Sequence, residues 1–296
     1  MTTESLPSHE PTPGARPAGT SDPAAAAQSI QQMFDAIAPR YDLANHLLSA
    51  GIDRLWWRRT ARVLRPILVR PEAIVLDLCC GTGDMTLALD KLRPKSSNPQ
   101  KSVILSGGAA GVEGPAVAGA PSMTALSSWV GCKPSASPAP ILAVDFSRKM
   151  LALASPKFAG RNIRAIEADA LHLPFANASI DLVTCAFGFR NLASYADGLA
   201  ELHRVLRPGG QIAILDFNQP AGLVGALYSL YFKHILPLVG RLISRDPSAY
   251  TYLPESVARF PTPPHMIELI AAAGFAAPTW TPYTFGVAGL YRAVRL

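Results

Sequence analysis

Four aspartates are spaced to hold one ligand: Asp77 and Asp84 in "VLDLCCGTGD" (75–84), Asp145 in "ILAVDFS" and Asp169 in "EADALHLPF". Gly81 and Gly83 form a glycine turn of the kind that cradles part of a nucleotide-like molecule. A dinucleotide turn requires G-x-G-x-x-G, whose third glycine lets helix and strand pack closely, but Thr86 occupies that position. Asp84 also puts a carboxylate where a pyrophosphate would meet the helix N-terminus, which is hostile to phosphate. The same charge suits the ammonium of an amino-acid ligand, as does Asp77 at the strand end. Asp145, ending the next strand, can accept hydrogen bonds from both ribose hydroxyls. Asp169 is set to accept from an adenine amine, with apolar neighbours for the ring. A single aspartate is as often a helix cap. Four on consecutive strand ends trace a ligand along the carboxyl edge of a sheet.

The elements that must position these residues are legible as short apolar runs. "AIVLDL" (73–78), "ILAVD" (141–145), "IRAIEAD" (163–169), "DLVTCAF" (181–187) and "QIAILDF" (211–217) read as strands, separated by helices near 84–93, 147–158 and 195–206. The end, "GFAAPTWTPYTFGVAGLYRAVRL", reads as two strands joined by a turn, for seven in all. Such alternation means an α/β doubly wound, mostly parallel sheet with helices on both faces. Ahead of it, from Ile30, apolar residues recur at helical spacing through "IQQMFDAIAPRYDLANHLLSAGIDRLWWRRTARVL", with Pro39 and Gly51 as punctuation. This reads as an N-terminal helical lid. Residues 1–27 are rich in Pro, Ala, Ser and Thr and are expected to form a disordered tail, leaving one domain over 28–296. The tail lacks the apolar core of a signal peptide, and its Glu4, Glu10 and Asp22 disfavour a transit peptide. Residues 94–139, rich in Gly, Ala, Ser and Pro and without a period, read as a disordered insertion.

Composition narrows the classes. Hydrophobic residues are 49% and charged ones 16% of the 296 residues, as in a globular core, and no uninterrupted apolar run reaches eighteen residues. The net charge of +6 is spread without a long basic run, which fits an anionic membrane surface better than nucleic acid. Cys79, Cys80, Cys132 and Cys185 match neither a zinc spacing nor a disulfide framework, so reduced thiols in a cytosol-like compartment are expected. No ligand cluster for a metal is present in the sequence.

The order "VLDLCCGTGDM … AVDFSRKML … EADALHLPF … FGFRNL … LHRVLRPGGQIAILDF" resembles class I S-adenosylmethionine (SAM)-dependent methyltransferases, a Rossmann-like fold. More narrowly, "YDLANHLLSAGIDRLWWRR" (41–59), "AFGFRN" (186–191) and "YFKHILPLVGRLISRDPSAYTYLPESVARFP" (231–261) resemble the family that C-methylates polyprenylated quinols. The likeness spans nearly all of 30–296 apart from the insertion. It implies that Asp77, Gly81, Thr82, Gly83, Asp84, Asp145, Phe146, Asp169, Ala170 and Ala186 bind SAM. There are departures: Cys79 replaces a generic glycine, Ala186 stands where the family carries a serine, Tyr291 where many relatives have His, and Asp216 where the family has Glu. The double cysteine is more familiar among naphthoquinone-type members.

Methylating a ring carbon needs the reduced quinol, since only that ring is nucleophilic. The enzyme must hold carbon and methyl about 3–3.5 Å apart and stabilise the quinolate; no metal is required. The resemblance implies a catalytic or substrate role for Arg190, expected to meet the oxyanion, with Asn191 orienting it. Tyr41 is expected to hydrogen-bond the quinol oxygen from the lid, which Asn45 and Arg54 help shape. The apolar stretch 223–244 reads as a groove for the lipid tail, as a homodimer interface or as a core-packing helix. The expected product is a methylated prenyl-naphthoquinol of the menaquinone or phylloquinone type. The rivals are a ubiquinone-pathway benzoquinol enzyme and a silent lipid-binding subunit of a quinone-synthesis complex. The expected location is cytoplasmic, peripheral to a membrane.

Overall fold

In the computed structural model the described residues are 14–15, 17, 19–20, 22–38, 49, 51–95, 105–106, 138–220, 222, 225–226, 230 and 248–296. In chain order the elements are α1 (Pro23–Ile37), α2 (Ile52–Val63), α3 (Arg65–Leu68), β1 (Val75–Leu78), α4 (Asp84–Asp90), β2 (Leu105–Ser106), β3 (Ile141–Asp145), α5 (Arg148–Phe158), β4 (Ile163–Glu167) and β5 (Ile180–Ala186). A 3-10 turn (Phe189–Asn191), α6 (Tyr195–Val205), β6 (Leu206–Phe217), α7 (Ser248–Arg259), α8 (Pro263–Ala272), β7 (Phe275–Tyr283) and β8 (Ala288–Arg295) follow.

The strands form one sheet in the order β2-β4-β3-β1-β5-β6-β8-β7, all running the same way except β8, which lies antiparallel between β6 and the edge strand β7. The seven expected strands are all present. The additional β2, two residues from the stretch read as an insertion, pairs parallel with β4 through Leu105 and Ile166. The central strands β1 and β3 are buried along their whole length, because helices cover both faces. On one face Leu76, Leu78, Val183 and Ile212 pack with Leu199 and Leu202 of α6 and Met266 of α8. On the other Val75, Ala143 and Leu182 meet Trp57 of α2, Leu89 of α4 and Leu151 of α5.

The N-terminal boundary differs from expectation. Helix α1 starts at Pro23, inside the stretch read as tail, because Asp22 caps the Ala25 N–H, Pro23 suits the first helical position and alanines follow. Further upstream, Ala15 is buried and donates its N–H to the Leu192 carbonyl at 2.8 Å. Small residues without a hydrophobic pattern gave no sign of this docking. The apolar stretch 223–244, Tyr41 and Asn45 lie outside the described residues, except for single positions in 223–244. Among the described residues no helix is long and apolar enough to cross a membrane.

Candidate active site

The carboxyl ends of β1, β3, β4 and β5 line one cavity with α1. Asp145 closes β3 there. Its Oδ2 accepts the Gly81 N–H at 2.8 Å and its Oδ1 the Ser147 N–H at 2.9 Å, tying the glycine turn to the next strand. Each carboxylate oxygen keeps a lone pair for a further donor. Gly81, Phe146, Asp169, Ala170, Ala186 and Asn191, all named from the sequence, line the same cavity. Cys79 and Phe187 meet there in left-handed conformations (φ 53° and 60°), at the ends of the paired strands β1 and β5. Gly188 makes this possible, since a Cβ there would lie 2.3 Å from the Cys79 Cβ.

Other expected contacts belong behind the cavity. Asp77 is fully buried, accepting 2.6 Å hydrogen bonds from the Thr86 and Thr184 hydroxyls. It fastens α4 to β1 and β5 instead of reaching a ligand, which also explains a hydroxyl at 86 where a dinucleotide turn has glycine. Gly83 (φ 91°) is required by Phe158, whose ring a Cβ would approach to 2.5 Å. Thr82 is buried, and Asp84 sits in the first turn of α4 with Lys157 Nζ at 3.8 Å. Asp169 is exposed at the rim, accepting the Leu171 N–H at 3.0 Å.

Arg190, expected to face a reacting oxygen, is instead turned into the protein. Its guanidinium meets Asp216 Oδ1 at 2.9 Å and the Phe187 carbonyl, and its own N–H donates to Asp216 Oδ2 at 3.1 Å. Both side chains are buried, so Asp216 needs this cation and cannot serve as an exposed base. Asn191, next in the chain, does reach the cavity, and its Oδ1 accepts the Tyr252 hydroxyl at 3.1 Å. Tyr291, noted as a departure, is buried and donates to Asn218 Oδ1 at 2.5 Å, away from the cavity lining.

Sequence reasoning missed three contributors. Ala27 and Phe34 of α1 form one wall. That helix is fixed by Gln31 Nε2 on the Phe146 carbonyl at 2.8 Å and by the Ser147 hydroxyl on Asp35 at 2.5 Å. Tyr252 packs with Ile30 and Ala15 above Asn191; it lay within a quoted motif, but nothing distinguished it from its tyrosine neighbours. A second cleft, between Arg93, Lys95, Arg161 and Asn162, lies apart from this edge. Its two arginines are engaged: Arg161 holds Asp90 at 2.7 Å, and Arg93 donates to four backbone carbonyls. Among the described residues no three His, Cys, Asp or Glu gather as metal ligands.

Burial pushes the Asp145 carboxyl up to about 6, against the lowering effect of the Ser147, Gly81 and Phe146 N–H groups. Asp77 is likewise pushed to about 6, by burial first, despite its two threonine donors. With folded values above the unfolded 3.8, the folded chain holds protons that the unfolded chain releases. Both groups therefore favour folding at acid pH, and that contribution is lost as pH rises through about 6.

Comparison with known proteins places this geometry. The sequence model of the ubiE/COQ5 methyltransferase family matches residues 23–295. The demethylmenaquinone methyltransferase of Deinococcus radiodurans is 41% identical over 267 residues, 89% of this chain and 91% of that protein. Its counterpart from Thermus thermophilus is 40% identical over 262 residues, 88% of this chain and 98% of that one. A solved SAM-dependent methyltransferase from Thermotoga maritima shares the fold, with a TM-score of 0.55 at 13% identity over 90% of this chain and 100% of its own.

Proposed function

The chain belongs to the ubiE/COQ5 methyltransferase family, and from that membership we propose that it moves a methyl group from SAM to a ring carbon of a demethylated prenyl-naphthoquinol. The observation that carries the choice of acceptor is the name of the relatives at 41% and 40% identity, demethylmenaquinone methyltransferase in both. The double cysteine at 79–80 favours the same reading.

The residues fit the donor. Asp145, with a lone pair left on each oxygen, accepts the ribose hydroxyls, while Phe146, Met150 and Ala170 offer an apolar seat for the adenine and Asp169 an acceptor at its rim. Gly81 brings backbone close to the ligand, whereas Asp84, expected from the sequence to meet its ammonium, lies outside the cavity lining beside Lys157. SAM contributes a methyl group already activated on a sulfonium, and the acceptor ring gives up one proton in exchange. Asn191, whose oxygen is taken by Tyr252, has its amide N–H groups left to donate to the quinolate oxygen. Tyr41, outside the described residues, is proposed from the sequence alone as a second donor to that oxygen. Arg190 positions this loop through Asp216 and does not touch the reacting atoms. The acceptor's isoprenoid or phytyl tail puts the reaction at a bilayer surface.

The deciding experiment supplies labelled SAM with chemically reduced demethyl-naphthoquinol and demethyl-benzoquinol side by side. Transfer to the naphthoquinol is the expected outcome. Transfer to the benzoquinol alone would move the enzyme to the ubiquinone type, and transfer to neither would sink the acceptor assignment.

Cofactor affinity should also follow Asp145. Ribose hydroxyls need its ionised form, so protonation competes with binding. The SAM dissociation constant is expected to be flat above about pH 7 and to rise toward tenfold per unit below about pH 6. Calorimetric titration across that range reads this directly, and a constant affinity down to about pH 5 would remove Asp145 from the ribose.

A further inference from the structure

Helix α2 buries one face and leaves the other strongly basic. Asp53, Trp56, Trp57, Thr60 and Ala61 face the core, whereas Arg54, Leu55, Arg58, Arg59 and Arg62 face outward, and Arg65 continues the row into α3. Leu55 has Arg58 and Arg59 at the i+3 and i+4 positions and Arg62 one further turn along, so an apolar side chain stands amid guanidinium groups. Among the described residues none of these five arginines is in an ion pair, and the acid of the helix, Asp53, is buried.

A second apolar group joins this face from far along the chain. The turn Thr284–Gly286 is held against α2 by Trp56 Nε1 on the Thr284 hydroxyl at 2.8 Å, and Arg59 lies 4.3 Å from the centre of the Tyr283 ring. At its tip Phe285 is 86% exposed and left-handed (φ 57°). A non-glycine residue is uncommon in that conformation, and a phenyl ring gains nothing from water. Leu55 is 56% exposed, and Ile52 and Val63 are also open. Beneath this surface Trp56 packs on Phe187 at 5.7 Å, and Phe187 lines the cavity. One aromatic layer thus separates the basic surface from the methyl-transfer site.

We propose that the arginine face of α2, together with Leu55 and Phe285, docks the enzyme on an anionic phospholipid bilayer. Arginines meet the lipid phosphates while Leu55 and the Phe285 ring enter the headgroup boundary, as amphipathic interfacial helices do. Charge complementarity alone would also suit nucleic acid. The apolar side chains placed between and beside the cations favour lipid, because a phosphate backbone offers them no apolar partner. The inference rests on the lipid-tailed acceptor proposed above: docking here brings such an acceptor's membrane to the Phe187 wall of the cavity.

The test is vesicle flotation of the full chain at about 0.15 M salt, with phosphatidylcholine vesicles either pure or containing about 30 mol% phosphatidylglycerol. Wild type is expected on the anionic vesicles at least about tenfold more tightly than on the neutral ones. Arg58→Glu with Arg62→Glu should lose about tenfold or more of that binding. Phe285→Asn, which tolerates the left-handed backbone, should lose several-fold while keeping the preference for anionic lipid. Both variants should methylate a dissolved, tail-less naphthoquinol as wild type does, which also reports that they are folded. Equal binding to both vesicle types, no binding, or variants that bind like wild type would each overturn the proposal. Binding of a short single-stranded RNA in place of vesicles would make the face a nucleic-acid surface and overturn it too. No transfer to the dissolved acceptor with vesicle binding intact would strike the acceptor reading and leave the docking face standing.

Discussion

Asp145→Asn is expected to weaken SAM binding by about ten- to a hundredfold while changing the stability of the protein little. The carboxylate is an acceptor on both oxygens, each already taking one backbone N–H, from Gly81 and from Ser147. An asparagine presents one oxygen and one NH2, so one backbone donor faces another donor and one ribose hydroxyl finds no acceptor. A hydrogen bond to a charged group contributes about 1.5–3 kcal/mol, so losing the one to the ribose amounts to roughly one to two powers of ten in affinity. Stability is expected to move little, because relief of the buried charge is offset by the backbone N–H left facing an NH2. Calorimetric titration beside a thermal melt separates the two effects. An affinity within about threefold of wild type would show that the cofactor does not use this carboxylate.

The second large effect concerns folding. Arg190→Met leaves the Asp216 carboxyl without its cationic partner where it is 0% exposed, and breaking one side of a buried pair costs about 3–5 kcal/mol. Set against a total of about 5–15 kcal/mol, that is expected to lower the melting temperature by roughly 6–20 °C. Adding Asp216→Asn should recover part of the loss, because a neutral asparagine still accepts the N–H of residue 190 without burying a charge. A merely catalytic arginine predicts a different pattern: Arg190→Met would melt with wild type and lose only turnover. That result would put the guanidinium on the reacting oxygen and make the ion pair incidental.

The two aspartates show where sequence reading succeeds and where it stops. Asp145 was legible because its position, last in a buried strand beside the glycine turn, leaves a carboxylate only one useful direction. Asp77 lies one residue before the end of the neighbouring strand, and the sequence assigns it to the same ligand, at the ammonium. What turns it inward is a pair of hydroxyls, Thr86 and Thr184, one nearby and one more than a hundred residues away. Arg190 was misjudged for the same reason, since its partner Asp216 is brought alongside only when β6 pairs with β5. Periodicity found the strands and most helices, but it carries no information about which long-range polar partners will meet. Ala27 escaped because a low-complexity stretch of alanines reads as tail until a capping aspartate and something to pack against make it a helix; Phe34 lies in the stretch that reads as helical, but its spacing does not show that it faces the cavity.

That helix has a bearing on how a ligand as large as SAM gets in. The floor of the cavity is a sheet whose strands are buried on both sides and tied by continuous ladders. The α1 wall is held by two side-chain hydrogen bonds and a small apolar cluster around Ile30 and Tyr252. Parting that wall exposes little apolar surface and breaks no strand pairing, so the free energy of opening is a small fraction of that of unfolding. Among the described residues the α1 wall is thus the more lightly tied side of the cavity and the sheet the more rigid one.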